Sequence, residues 1–260
     1  MARRARSFEN GASAYERLRP EFPEALFDDL VAAAGERLRE GVLEVGAGTG
    51  RATLPLARRG AHIHVVEPSA DMLRLLAGRL QAENLQDAVA LRQATFEDVA
   101  PDEGPFGVVV AAQSFHWTDP ETRWSRLASL LSKDGVAFLF WNGWQLDPTH
   151  HDLEGVRQVY RRDGGTLVPD IDDHRGETNW AEDEIATEPL LEVAPATSYT
   201  WDWAMPVSDY LGLLATTSQY AVASLGSRRR LFGSLMPSLG HTVRLRGRTL
   251  LLTIRQPRRG

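Results

Sequence analysis

The stretch Val42-Leu43-Glu44-Val45-Gly46-Ala47-Gly48-Thr49-Gly50 decides the architecture. Its first four residues read as a buried strand, the glycines break that strand into a turn, and residues 51–59 open a helix with Leu54 and Leu56 facing inward. Three glycines alternating with Ala47 and Thr49 leave the backbone nearly bare against a ligand. Glu44 stands two residues ahead of the first glycine, where a purely structural strand takes another apolar residue. A carboxylate there asks for a cation or a hydroxyl.

Outward from this turn the chain alternates strands and helices. A strand over 63–66 ends in Glu67-Pro68, and Ser69 caps a helix over 70–80 whose positive end suits Asp71. A weaker strand over 89–93 runs into Thr95-Phe96-Glu97-Asp98. Residues 107–112 form a short continuous apolar run of the kind found inside a parallel sheet. A helix over 120–131 and the turn Lys133-Asp134-Gly135 lead to a strand over 136–141. The pattern is α/β, a Rossmann-like, doubly wound parallel sheet.

Ahead of it, residues 1–11 read as a tail. The entry Tyr15…Arg19-Pro20 precedes a helix over 24–38 that buries Leu26, Phe27, Leu30 and Val31. Past Trp141 the rhythm breaks: 143–190 is rich in Asp, Gly, Pro and His, with one helix over 153–161. A strand over 196–203 carries Tyr199, Trp201 and Trp203 on one face, helices follow at 207–217 and 222–235, and 242–255 is a strand or hairpin. The expected division is a tail and helical cap (1–40), a ligand-binding core (41–142), a lid insertion (143–195), and C-terminal strands and helices completing the sheet (196–260).

The 260 residues fit one large α/β domain, and 43% hydrophobic with 25% charged content is ordinary for a globular chain. A net charge of -6 marks no nucleic-acid partner. The absence of cysteine excludes disulfides, thiolate nucleophiles and Cys-ligated zinc. The basic N-terminus lacks an apolar stretch behind it, and no apolar run nears the ~18 residues of a membrane span. The expectation is a cytoplasmic protein with no membrane partner; oligomeric state is not legible.

In parallel sheets ligands bind beyond the carboxyl ends of the strands. Every unusual feature falls there: 46–50, Glu67, 95–98 and 113–117. A dinucleotide fingerprint needs a third glycine where this chain has Arg51, and its anionic pyrophosphate gives no reason for Glu44. A ligand with an ammonium and a sulfonium, such as S-adenosylmethionine, fits better; a dinucleotide-dependent oxidoreductase stays as the alternative. Glu67 is placed to accept both hydroxyls of a ribose. Met72 suits one face of an adenine, or the core. His116 is the histidine placed to act as a base, or else a hydrogen-bonded neighbour of Trp117. Tyr15 and Arg19 belong to a segment that would close over the donor; Arg19 either grips an acceptor carboxylate or pairs with Glu16 or Glu21. Trp144, past the end of the 136–141 strand, offers an acceptor wall. His150-His151-Asp152 has the look of a metal clip but reads as a solvated loop, so no metal site is expected.

The combination of 43–50, Val65-Val66-Glu67-Pro68-Ser69 and Ala112-Gln113-Ser114-Phe115-His116-Trp117 resembles the class I S-adenosylmethionine-dependent methyltransferases, and among them the small-molecule branch that is trans-aconitate methyltransferase-like. The resemblance covers about residues 13–141. It implies a seven-stranded sheet ending in an antiparallel C-terminal hairpin. It also implies that Glu44, Gly46, Ala47, Gly48, Thr49 and Gly50 hold the methionine end, Glu67 and Pro68 the ribose, and Thr95, Phe96 and Glu97 the adenine edge. Tyr15, Met72 and Gln113 complete the donor site, while Tyr15, Arg19, His116, Trp117 and Trp144 face the acceptor. The expected activity is methyl transfer to a small molecule or small peptide, on oxygen, with a carboxylate foremost. A protein that binds the donor without methylating is the further alternative.

Overall fold

A computed structural model describes residues 17–169 and 179–257. Its centre is a sheet in the order β3-β2-β1-β4-β5-β8-β6, with β7 also paired to β8. The strands are β1 Val42–Val45, β2 Ile63–Val66, β3 Val89–Arg92, β4 Phe106–Ala112, β5 Leu131–Leu146, β6 Glu192–Val193, β7 Thr197–Pro206 and β8 Thr242–Arg255. The first five are parallel to one another; β8 is antiparallel to β5, β6 and β7. Because β6 and β7 follow one another along the same side of β8, eight strands occupy seven positions. The antiparallel C-terminal element is present, although helices rather than a tight turn join β7 to β8.

Chain direction across the sheet reverses between β1 and β4, each hydrogen-bonded to the other. That reversal opens a crevice at their carboxyl ends. Period-two alternation then sorts the side chains. Leu43 and Val45 of β1, with Val109 and Ala111 of β4, face a core shared with helix α4 (Arg123–Leu130) and helix α6 (Asn179–Ile185). Val42, Val108 and Val110 face the opposite core, under α1 (Glu24–Ala34), α2 (Thr53–Arg58) and α3 (Ala70–Ala82). A third core lies beneath the far ends of β5 and β8. There Trp144, Leu146, Val243 and Leu245 pack on α5 (Leu153–Asp163), α7 (Val207–Ala215) and α9 (Leu225–Leu239), with α8 (Ser218–Ala221) between the last two.

The expected helices and strands are present with shifted ends. Helix α1 buries Leu26, Phe27 and Leu30 completely, at about 1.5–3 kcal/mol per side chain. It stops at Ala34, because Gly35 takes a positive φ and a 3-10 turn continues to Glu40; Val31 is only half-buried. Ser69 does cap α3, accepting from the Met72 amide at 3.3 Å.

Strand 5 departs furthest from expectation. Asn142-Gly143 reads as the end of a strand, yet β5 continues to Leu146 because β8 supplies partners as far as Leu146↔Leu245. Asn142 is satisfied within the strand: Thr249 donates to its Oδ1 at 2.6 Å, and its Nδ2 donates to the Glu21 carbonyl at 3.2 Å. Helix α6 went unread in an acidic, loop-like stretch. It is held from outside itself, as described below.

Candidate active site

The crevice is a cavity of about 680 Å³, within the ~300–1,000 Å³ usual for small-molecule sites. Its floor is the glycine turn after β1. Gly46 has φ +67, and an added Cβ would lie 2.6 Å from Ser114 Cβ, so β1 and the β4 loop approach only because no side chain intervenes. Gly48 also has a positive φ, with open space where a Cβ would go. Ala47 and Thr49 line the floor too.

Glu67 closes the side of this turn. Its Oε2 accepts from the Gly48 amide at 2.9 Å and its Oε1 from the Ser69 amide at 2.8 Å. Burial raises its pKa, opposed by the Ser69 and Gly48 amides. A carboxylate offers about four acceptor sites, so each oxygen keeps capacity for one more donor. Two vicinal hydroxyls of a ribose match that need. Pro68 and Met72 continue the wall, while Thr95, Phe96 and Glu97 stand on the next strand end. Thr95 and Asp98 cap the 3-10 turn Phe96–Asp98 by exchanging hydrogen bonds, and Glu97 Oε1 accepts from the Asp119 amide at 2.9 Å.

Glu44 and Gly50 do not line the cavity. Glu44 is 0% exposed, on the face of β1 that is covered by α1 to α3, and neither carboxylate oxygen has a hydrogen-bond partner among the described residues. Burial pushes its pKa up to about 7; the Thr53 hydroxyl offsets part of this without reaching hydrogen-bond geometry, and the Glu67 charge adds to it. Glu44 thus stands beneath the turn, off the cavity lining. Such an unsatisfied buried carboxylate is costly alone and suits a cation bound above it. Gly50 is spent on packing: a Cβ there would meet Leu76 and Leu54.

The β4 loop forms the next wall. Gln113 holds a left-handed conformation at φ 58, costly outside glycine, and its Nε2 donates to the Asn142 carbonyl at 2.9 Å. His116 and Trp117 follow in a 3-10 turn. The Trp141 indole N–H donates to His116 Nδ1 at 3.2 Å, which leaves the imidazole proton on Nε2. Burial, and after it the nearby Arg123 charge, lower the His116 pKa to about 4. Both ring nitrogens are thus occupied, one accepting from Trp141 and one protonated. With Nδ1 accepting from Trp141, the neutral ring offers its Nε2–H as a hydrogen-bond donor.

Arg19 reaches the cavity from the N-terminal segment. Its Nε donates to Thr216 Oγ1 at 3.1 Å, another nitrogen to the Thr216 carbonyl at 3.0 Å, and the guanidinium lies 5.3 Å from the Trp144 ring centroid. Glu21 pairs instead with Arg51, at 2.6 Å. Trp144 lines the cavity from within β5, and its buried indole N–H has no partner among the described residues. Tyr15 lies outside the described residues. Trp201 and Trp203 belong to the third core, off the cavity.

Sequence reasoning missed Asn142, Arg51 and Trp180 on the lining. Asn142, directly past the expected end of the 136–141 strand, was within reach of the strand-end rule; Trp180 left no signal. Among the described residues no cluster of His, Asp and Glu forms a metal site. His150 binds Asp147, His151 accepts from the Arg244 amide, and Asp152 caps α5.

A nucleotide-sized cavity at the topological switch point, with a ribose-ready carboxylate and a buried carboxyl group under a glycine turn, defines a class of nucleotide-cofactor enzyme. Residues 42–135 match the family model described as "Methyltransferase domain". The uncharacterized methyltransferases Rv3342 of Mycobacterium tuberculosis and Mb3374 of Mycobacterium bovis are each 37% identical over 206 residues, covering 74% of this chain and 77% of theirs. The chain belongs to the class I S-adenosylmethionine-dependent methyltransferases. Its fold is shared with a protein from Anaeromyxobacter dehalogenans described as a type II methyltransferase (TM-score 0.64, 22% identity, 90% of this chain and 97% of that one). Geranyl diphosphate methyltransferase, solved with S-adenosylmethionine, is more distant (TM-score 0.50, 14% identity, 90% and 85%). Among the described residues no helix is long and apolar enough to cross a membrane.

Proposed function

We propose that this methyltransferase acts on an oxygen of a small molecule or small peptide, and that the oxygen belongs to a carboxylate. The observation that carries the reading is the pairing of His116 with Trp141. When bound, S-adenosylmethionine supplies a sulfonium-activated methyl group, which passes to the acceptor by in-line displacement as the C–S electron pair leaves on sulfur. A phenol or alcohol needs its proton removed in that step; a carboxylate, with an ordinary pKa near 4, arrives ready. The chain's work is then to align two reactants and keep water away.

The residues divide accordingly. Glu67 and the Gly46–Thr49 backbone hold the donor's ribose and methionine portions, with Glu44 supplying negative charge from below. Phe96 and Met72 pack on the adenine, and Gln113 fixes the β4 loop against β5. On the acceptor side, Arg19 and the unpartnered Trp144 indole N–H offer donors to a carboxylate. The wall of Trp117, Trp141 and Trp144 takes the acceptor's apolar body.

The test is a turnover screen that counts S-adenosylhomocysteine formed with matched acids, phenols and alcohols, with products examined by mass spectrometry. Methyl esters are expected, with a rate flat from about pH 6 to 9 because the acceptor is already ionised. Turnover of phenols but not acids, rising with pH toward about 10, contradicts the reading.

A further inference from the structure

Helix α6 is a seven-residue acidic segment, Asn-Trp-Ala-Glu-Asp-Glu-Ile, with little reason of its own to be helical. Three attachments hold it in place. Ala181 and Ile185 enter the core shared with α4. Glu184 accepts three hydrogen bonds from the forked face of Arg123, at 2.9, 2.5 and 2.7 Å, and a fourth from the Trp124 indole at 2.7 Å. Arg123, its side chain 7% exposed, lies 4.4 Å from the centroid of Trp180. Trp180 in turn sits edge-on to Trp141 at 5.8 Å, and Trp141 binds His116.

The outcome of these ties is the placement of a single side chain. Trp180 is the one residue of α6 on the cavity lining, where it stands edge-on to Trp141, the partner of His116. An aromatic ring backed by a guanidinium is fixed in orientation and presents a flat face. We infer that Trp180 is a specificity-determining residue, the wall against which a planar apolar acceptor stacks, and that Glu184 is its positioning residue, acting through Arg123. The acceptor class is then a flat, conjugated or aromatic acid. This rests on the carboxylate reading for the acid and on Trp180 alone for the flatness.

Both parts are separable by calorimetry on the full chain saturated with S-adenosylhomocysteine. The probes are 2-naphthoate, its saturated counterpart decalin-2-carboxylate, and the uncharged 2-naphthalenemethanol. The expected result is that 2-naphthoate binds more tightly than either of the others. Trp180→Ala weakens 2-naphthoate about tenfold, the scale of one lost aromatic contact, and removes the preference over the decalin acid. Trp180→Phe retains most of it. Glu184→Gln weakens it by a smaller factor and shifts the tryptophan emission. S-adenosylhomocysteine affinity should stay within about twofold throughout, since stacking at this wall makes no donor contact. Thermal midpoints identify any variant that fails to fold, in which case Trp180→Phe carries the comparison. Equal binding of 2-naphthalenemethanol and 2-naphthoate sinks the carboxylate reading while the wall stands. If no naphthalene probe binds, or Trp180→Ala binds 2-naphthoate like the wild type, the wall is overturned.

Discussion

The two ends of the cavity are built in opposite ways. The donor end comes from short consecutive stretches at the tips of β1, β2 and the strand after them. Glu67 reaches Gly48 across only nineteen positions. The acceptor end gathers Arg19, His116, Trp144 and Trp180, and its ties span as much as 197 positions, as between Arg19 and Thr216. An end made of local backbone turns needs particular residues at particular spacings. An end made of side chains from remote elements needs only that those elements dock. One therefore has a sequence signature, and the other is free to vary with the acceptor.

The sharpest way to break this contrast is at Glu67. Glu67→Ala removes acceptors for two ribose hydroxyls and uncaps the Gly48 and Ser69 amides. Affinity for S-adenosylhomocysteine should fall well over tenfold, given ~1.5–3 kcal/mol for hydrogen bonds to a charged group. Glu67→Gln should do no better than a partial rescue, because its amide NH₂ would face a backbone N–H. Equilibrium titration decides both.

Glu44 should respond with two opposite signs. Its folded pKa of about 7 lies above the ordinary glutamate value of 4.5, so the folded chain binds more protons between those limits. Stability of the free protein then falls as pH rises through that window, with the full cost present above about pH 7. Glu44→Gln should raise the thermal midpoint above pH 7, lose that advantage near pH 4.5, and still bind donor several-fold more weakly. His116, held neutral by burial, contributes the opposite slope between about 4 and 6.5, but equally in both proteins. A midpoint unchanged at every pH contradicts the unsatisfied carboxylate.

The smallest effect belongs to His116. His116→Asn should change the rate with an acid acceptor by less than about fivefold, whereas loss of a true base costs about 10²–10⁴. Steady-state rates at saturating donor distinguish the two.

What the sequence made legible follows the same line. The alternation of strands and helices, the Ser69 cap and Glu67 all follow from local pattern, because period-two burial and turn chemistry act over a few residues. The continuation of β5 to Leu146 was hidden, since Asn142-Gly143 looks like a turn until Thr249 and β8 are beside it. Glu44 was identified as unusual, but only the alternation of β1 between two cores places it beneath the turn rather than in the cavity. Helix α6 and Trp180 were illegible because Arg123, over fifty positions away, supplies their hold. The pairing that makes His116 a donor likewise depends on Trp141, on another strand.

The division of the cavity into two independent ends is tested most directly by titrating S-adenosylhomocysteine into the wild type, Glu67→Ala and Trp180→Ala side by side. The account predicts wild-type affinity for Trp180→Ala and a loss beyond tenfold for Glu67→Ala. Equal losses in both variants, or an unimpaired Glu67→Ala, would contradict it.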